Sequence, residues 1–298
     1  MAEQGWRIAI ITTVTPVAGI LAAAVRELGH EPVAVISARR PAPIDATRRE
    51  FPELGDSTAP PGLDLLIARD KWSMEPLLRS VRPDLAICWG FPWRIPLEAL
   101  QVPRLGSINS HPAPLPRHRG PIPISWAIRD GDESYGMTWH RMDANLDTGG
   151  ILAQGTVPMR DDEFSFLDLG PRLAAAALSL LPRALARVAA GDPGDPQPAE
   201  GATWAGHLGE DYAEVDWSKS AREIHNQVRA WAFATPSGVV GPVAELDGRR
   251  VRLTRTSLAD PADPKAVRME TGDGPIWVVA WELLDAPADT PAKAPSSS

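Results

Sequence analysis

The sequence predicts an α/β protein with a mostly parallel sheet, followed by a small, separate β-domain. Three observations carry this. Residues 7–37 read as strand, helix, strand, the opening of a βαβ unit. Further short apolar runs, DLAICWG and GSINSH, recur with helical segments between them. After the Pro/Gly/acid-rich stretch GDPGDPQPAEGA (191–202) the pattern changes to short strands separated by turn signals, which suits a small barrel.

Taken in order, RIAIITT (7–13) is short, β-branched and apolar, as a buried strand should be. VAGILAAAVRELGH has helical spacing and stops at Gly29. PVAVIS (32–37) is the second strand, and residues 39–63, rich in Pro, Arg and Asp, read as a long surface loop. MEPLLRSV is a short helix, DLAICWG (84–90) the third strand, IPLEAL a turn of helix and GSINSH (106–111) the fourth strand. GPIPISWAIRDGD fits a helix starting near Pro121, because proline suits a first helical turn. YGMTWHRMD (135–143) sets Met137, Trp139 and Arg141 against Thr138, His140 and Met142, a strand alternation, with GILAQGTVPM as its partner. LDLGPRLAAAALSLLPRALARVAAG is a long Ala/Leu helix that closes the first domain. A helix (SAREIHNQVRAW) and the β-like segments VGPVAELDG, RRVRLTRTSL and IWVVAWELL follow. The expected organisation is a first domain over 1–190, a linker over 191–203, a β-domain over 204–285 and a disordered tail over 286–298.

Composition narrows the class. The 298 residues are 44% hydrophobic and 23% charged, ordinary for a globular chain. Net charge is −8, and no basic domain or stripe of the kind a nucleic-acid binder shows is visible. The one cysteine, Cys88, has no partner for an internal disulfide and sits in an apolar run, so a buried strand residue in a cytoplasmic protein is expected. The N-terminal apolar run is broken by TTVTP and preceded by Glu3, unlike a signal peptide, and no membrane span is expected.

The chemistry must come from elsewhere than the common fingerprints. No G-x-G-x-x-G follows the first strand, which removes the main support for a nicotinamide or flavin enzyme. No P-loop, C-x-x-C or H-E-x-x-H is present, and Ser110 lies in S-H-P rather than G-x-S-x-G. What remains is polar residues at strand ends. Asn109 and His111 are two apart and share a face, His140 ends a later strand, and Asp147 follows in MDANLDTGG. An amide to stabilise an oxyanion, an imidazole to move a proton and a carboxylate to orient it form an acyl-transfer set. Each residue also has a plainer reading: Asn109 as a backbone cap, His111 as a surface residue beside proline, Asp147 as a turn former. His111, His140 and Asp147 match zinc by ligand type, but their spacing fits no standard pattern, so no metal is expected.

The combined motif settles between these readings. N-x-H-P-x-x-L-P-x-x-R-G-x-x-P (from Asn109), then G-M-T-x-H-x-M-D-x-x-L-D-T-G-x-I-L (from Gly136), resembles the formyltransferase family that uses 10-formyltetrahydrofolate. PDLAICWG before the motif and EVDWSKSAREIHNQVRAW after it extend the resemblance over most of the chain. The resemblance implies a Rossmann-like catalytic domain and an OB-type C-terminal domain. It implies catalysis by Asn109, His111 and Asp147, supported by His140, with 10-formyltetrahydrofolate as co-substrate and no metal. A pterin slot would be lined, largely through backbone, by Trp89, Gly90, Phe91, Trp93, Arg94, Ile95 and Pro96, with Met142, Asp143, Ala144 and Leu146 opposite. Trp93 either stacks on the folate or belongs to the core. Arg119–Gly120 shapes the turn into the next helix, and His118 is expected on the surface.

The acceptor is read from departures. Family members acting on methionyl-tRNA carry a basic, glycine-containing insertion after the second strand. Here ISARRPAPIDATRREF has arginines but neither the glycines nor a lysine cluster. From Trp204 onward ten Lys and Arg face fourteen Asp and Glu, net −4, a poor match to a phosphate backbone. RRVRLTR reads as an alternating strand with Arg250 and Arg252 outward. A small-molecule amine, such as an amino sugar or a biosynthetic intermediate, is the favoured acceptor. Methionyl-tRNA is the alternative, and a non-catalytic folate-binding or regulatory protein the second alternative. The C-terminal domain is expected to shape the acceptor pocket, form a homodimer contact or be a vestige of tRNA binding.

Overall fold

The computed structural model describes residues 5–39, 59–234 and 238–284. The loop expected over 39–63 and the tail expected over 286–298 fall mainly or wholly outside them. Two compact units divide at His207/Leu208.

The first unit is a seven-stranded sheet in the order β3-β2-β1-β4-β5-β6-β7. Its strands are β1 (Arg7–Ile11), β2 (Glu31–Ala38), β3 (Asp64–Ala68), β4 (Leu85–Trp89), β5 (Ser107–His111), β6 (Ser134–Arg141) and β7 (Ile151–Pro158). Pairing is parallel from β3 to β5 and antiparallel for β6 and β7. The central strands read as unbroken apolar runs because both faces are covered: Ile8 to Ile11 and Leu85 to Cys88 are all buried. The helix α1 (Thr15–Glu27) follows β1 with Pro16 in its first turn, and buries Ala18, Leu21, Ala22 and Val25. Next come α2 (Met74–Val81), α3 (Leu97–Leu100) and α4 (Pro123–Arg129).

The helix α5 (Phe166–Ala189) starts at Ser165, whose side chain accepts the Asp168 N–H. Its buried residues Leu169, Leu173, Ala177, Leu181, Leu185 and Val188 fall at helical spacing. One sheet side chain locks onto it: the Trp139 indole N–H donates to the Ala177 carbonyl at 2.8 Å. Trp139 is fully buried, and truncating such a residue to alanine costs about 3–5 kcal/mol. The β6 alternation is as expected, with Trp139 toward α5 and His140 on the other face.

Three features differ from the sequence reading. DLLIA (64–68) is an edge strand, β3, where no strand is expected; Ile67 on it stays exposed, so its periodicity is poor. The helix α4 begins at Pro123, not near Pro121. Gly194 and Asp195, inside the stretch read as a linker, are held to unit 1. Ile151 and Asp195 exchange both backbone hydrogen bonds at 2.8 Å.

In the second unit, β8 (Val243–Leu246), β9 (Arg249–Ser257), β10 (Val267–Glu270) and β11 (Pro275–Leu283) form an antiparallel sheet in the order β10-β11-β9-β8. This is the small β-domain the sequence predicts, with β10 as an added strand. β8 and β9 meet at Asp247–Gly248, both at positive φ, which matches the tight hairpin that Asp-Gly encodes. The helix α6 (Ala221–Ala232) opens with a capping box between Ser220 and Glu223.

Candidate active site

The sheet order reverses between β1 and β4. The chain leaves β1 toward β2 and β3 on one side and resumes at β4 and β5 on the other. In open α/β sheets ligands bind beyond the strand ends at such a point. Here the two loops are tied together, because the Thr13 backbone N–H and hydroxyl both donate to the Gly90 carbonyl, at 3.2 and 3.0 Å.

The candidate face is assembled by register. Asn109 on β5 pairs with His140 on β6, and His111 pairs with Thr138. Since β6 is antiparallel, His140 reaches the site by lying beside Asn109, not by sharing a strand end with it. The β6–β7 ladder also slips by one residue between Trp139 and His140, the kind of irregularity that re-aims side chains beside active sites.

Asp147 is the hub. Its Oδ1 lies 3.4 Å from Asn109 Nδ2, 3.5 Å from His140 Nε2 and 3.7 Å from His111 Nδ1. Its Oδ2 accepts the Gly120 N–H at 2.9 Å. Asn109 Nδ2 also lies 3.2 Å from His140 Nε2, while His140 Nδ1–H donates to the Arg141 carbonyl at 2.7 Å. The other ring nitrogen of His111, Nε2, sits 2.9 Å from the His118 carbonyl. The site therefore brings together all four residues that the motif singles out.

Burial sets the charges. It raises the proton affinity of Asp147, but His111, His140 and the Gly120 N–H outweigh it and hold the carboxyl well below the usual range. Burial pushes His111 down, more than the Asp147 charge and the His118 carbonyl raise it. At neutral pH the pair is a carboxylate beside a neutral imidazole. Cys88, next to Asn109 in register, is inert: burial and then the Asp147 charge push its thiol far up.

Two backbone positions hold this geometry. Gly120 has φ +116, and a Cβ there would sit 3.0 Å from the Ala205 carbonyl oxygen and 3.2 Å from the Trp204 ring. Gly149 is needed for close approach rather than for turning, since a Cβ would lie 1.9 Å from the Arg141 carbonyl oxygen. Asp147 itself stands at φ +55, a left-handed conformation that aspartate tolerates better than most residues.

Of the expected slot residues, Trp89, Phe91, Trp93 and Pro96 are half-buried, and Gly90 and Arg94 are exposed. Ile95 is core, so only its backbone can face a ligand. Phe91 and Trp93 meet edge-on at 5.6 Å and pack with Met142 on the same apolar cluster that contains Cys88. Asp143 accepts the Thr148 hydroxyl and the Asn145 N–H, Ala144 is half-buried and Leu146 is exposed. Among the described residues, no cluster of three or more His, Cys, Asp or Glu side chains is arranged to hold a metal ion.

Several residues that brace the site escape the sequence reading. His118, expected on the surface, has no exposed area. Its ring Nε2 lies 2.9 Å from Asp132 Oδ2, and its backbone N–H donates to Thr203 Oγ1 at 2.8 Å. Gln197, inside the stretch read as linker, donates to the Asp147 and Gly149 carbonyls and accepts from the Arg119 guanidinium. A Pro/Gly-rich composition gives no sign of either role.

Known families and proteins are similar to this chain over most of its length. A family model described as formyl transferase matches residues 3–185, and one described as formyl transferase, C-terminal domain, matches 208–283. Methionyl-tRNA formyltransferase of Burkholderia vietnamiensis is 36% identical over 202 residues, which span 67% of this chain and 58% of that protein. That of Synechococcus sp. is 32% identical over 234 residues, 74% of this chain and 70% of the other. The chain thus spans about six-tenths of the length of the Burkholderia relatives it matches. In fold it is similar to HypX from Aquifex aeolicus in complex with tetrahydrofolic acid (TM-score 0.64, 20% identity, 94% of this chain and 44% of that one). It is similar also to WlaRD, a sugar 3N-formyl transferase (TM-score 0.60, 16% identity, 96% of this chain and 100% of that one). With one family model spanning well over half of its residues and a second matching its C-terminal unit, the chain belongs to the formyl transferase family.

Proposed function

We propose that this chain is an N-formyltransferase that moves the formyl group of 10-formyltetrahydrofolate to the amine of a small-molecule acceptor. The observation that carries the reading is the convergence of Asn109, His111 and His140 on the ionised, buried Asp147. The residues present fit the folate: backbone of the Gly90–Pro96 turn and the apolar edges of Phe91, Trp93 and Met142 suit a flat pterin.

10-Formyltetrahydrofolate supplies an electrophilic formyl carbon on N10. Asn109 donates an N–H to the charge gathering on the formyl oxygen as the acceptor nitrogen bonds to carbon. Its present contacts to Asp147 and His140 are long for hydrogen bonds, so redirecting one N–H costs little. His111 accepts the proton released by the amine and returns it to N10 as the carbon–N10 bond breaks. Asp147 stabilises the imidazolium formed in between, and its fixed charge restores part of the basicity that burial takes from His111.

Two features favour a small acceptor. The chain from Trp204 onward has net charge −4, and two β9 arginines are paired with carboxylates: the exposed Arg250 with Glu214 at 2.7 Å, and Arg252, whose side chain is only 12% exposed, with Glu282. Fold neighbours include sugar N-formyltransferases, one of them from Helicobacter canadensis in complex with folinic acid and dTDP-3-aminofucose. Methionyl-tRNA is the second reading, favoured by the named activity of the relatives. We place the protein in the cytoplasm; no described helix is long and apolar enough to cross a membrane.

The test is release of tetrahydrofolate from 10-formyltetrahydrofolate, followed by absorbance, with an amine panel led by dTDP-3-aminofucose and with methionyl-tRNA alongside. Turnover with an amine supports the proposal. Turnover with methionyl-tRNA alone replaces the acceptor, and inertness toward every acceptor removes the enzymatic reading.

A further inference from the structure

His118 has no exposed area, yet it stands in left-handed backbone at φ +56. A non-glycine residue is held there only where its surroundings over-determine it. The surroundings do so here. The backbone N–H is fixed by Thr203 Oγ1 at 2.8 Å. The ring Nε2 faces Asp132 Oδ2 at 2.9 Å, and Arg117 reaches the same carboxylate at 2.7 Å. The ring Nδ1 has no hydrogen-bond partner; Asp130 Oδ2 lies 4.0 Å from it. All this bracing delivers one group to the site, the His118 carbonyl, 2.9 Å from His111 Nε2.

A carbonyl oxygen can only accept. The His111 nitrogen facing it must therefore carry a hydrogen, and in the neutral ring the lone pair is left on Nδ1. Nδ1 is the atom beside Asp147 Oδ1, at 3.7 Å. We propose that His118 is a positioning residue that fixes the working tautomer of His111. Its left-handed carbonyl, anchored through the buried ring and Asp132, holds Nε2–H and leaves Nδ1 as the atom that takes the acceptor's proton. Nδ1 gains the proton as the amine bonds to the formyl carbon, and loses it to N10 as the carbon–N10 bond breaks. Had the tautomer been Nδ1–H, the proton would point at Asp147 and the lone pair at the His118 carbonyl, and neither nitrogen would be open to take a proton. The proposal rests on the formyl-transfer reading for its purpose, but not for its geometry.

The tautomer is measured directly, on the full chain without folate, by long-range proton–nitrogen correlation of ring-labelled histidine. The work is done at about pH 8, above the ordinary histidine pKa of about 6.5. The six histidines are distinguished by the signals missing in His111→Asn. The expected result is an Nε2–H tautomer for His111, lost to a mixture in His118→Val, where a β-branched residue resists positive φ, and regained in His118→Asn, which tolerates it. With the acceptor identified by the panel above, kcat falls about tenfold or more in His118→Val with KM for 10-formyltetrahydrofolate unmoved, and His118→Asn recovers most of it. An Nδ1–H tautomer in the unmodified chain overturns the proposal, and that spectrum decides even if His118→Val does not fold. Lost turnover in His118→Val with the tautomer unmoved makes His118 merely structural and overturns it equally. Failure of the formyl-transfer reading looks different: the unmodified chain is inert toward every acceptor while its tautomer stays as expected.

Discussion

Asp147 is nine-tenths buried and meets an amide, two imidazoles and a backbone N–H from three separate stretches of chain. Glu214, in the second unit, meets one guanidinium, that of Arg250, with both side chains more than half exposed. Both are carboxylates with a partner within 4 Å, but their energetics differ. Around Asp147 water is excluded, so each missing partner leaves a buried polar group unpaired. Around Glu214 water and salt compete for both charges, and the net gain is small. A contact distance alone therefore does not say where function lies; burial and cross-bracing do.

The largest expected effects come from removing members of the buried cluster. Asn109→Ala and His111→Ala should each lower kcat/KM by about 10²–10³-fold, the range for loss of an oxyanion donor or a general base. Binding of 5-formyltetrahydrofolate, followed by calorimetry, should change little, because neither side chain lies in the expected pterin slot. Wild-type turnover in either variant would end the case for this cluster.

Next in size is Gly120→Ala. The added Cβ meets the Ala205 carbonyl and the Trp204 ring in backbone that L-residues avoid, which costs about 1–3 kcal/mol. The same shift moves the N–H that anchors Asp147, so thermal unfolding and kcat should fall together. A stable Gly120→Ala variant with normal turnover would show that the anchor is dispensable.

How much of this the sequence displays depends on the residue. Asn109, His111, His140 and Asp147 are legible because their spacing is tied to strand alternation and to a long motif. The central strands are legible because burial on both faces leaves only apolar residues. β3 is not, since an edge strand with an exposed Ile67 has no clean period. His118 and Gln197 are not, because what they contribute is a main-chain carbonyl and a loop cross-link. Neither depends on side-chain patterning, and both become visible only when residues 118, 132, 147, 197 and 203 meet in space.

A smaller effect separates the two regions by pH. His111 has its pKa lowered by burial, so below about 6.5 the unfolded chain takes up a proton that the folded chain refuses. Its contribution to stability is therefore complete above that value and shrinks as pH falls through it, with a slope of at most about 1.4 kcal/mol per pH unit. Urea unfolding repeated from pH 8 downward should show a shallower fall in His111→Gln than in the unmodified chain. Identical slopes would mean that the imidazole is not desolvated as the structure requires. Asp147 adds nothing in this window: its pKa is lowered from an already acidic value, so its share is lost only at much lower pH.

The smallest effect tests the exposed side of the comparison. Breaking one ion pair with Glu214→Gln should cost about 0.2–1 kcal/mol, and less at high salt, because the Arg250 guanidinium returns to water. Its consequence for binding is the sharper measurement. If β9 is only a solvated face, releasing Arg250 by Glu214→Gln and Arg252 by Glu282→Gln adds at most weak, non-specific affinity for tRNA. If instead the unmodified chain already binds tRNA with a steep salt dependence, these pairs are exchanging carboxylates for phosphates. The slope of log affinity against log salt would then count the contacts, about one per phosphate neutralised, and two carboxylates removed would raise the affinity without changing that slope. A steep slope in the unmodified protein would move the acceptor from a small amine to tRNA while leaving the Asp147 cluster and its chemistry as they stand.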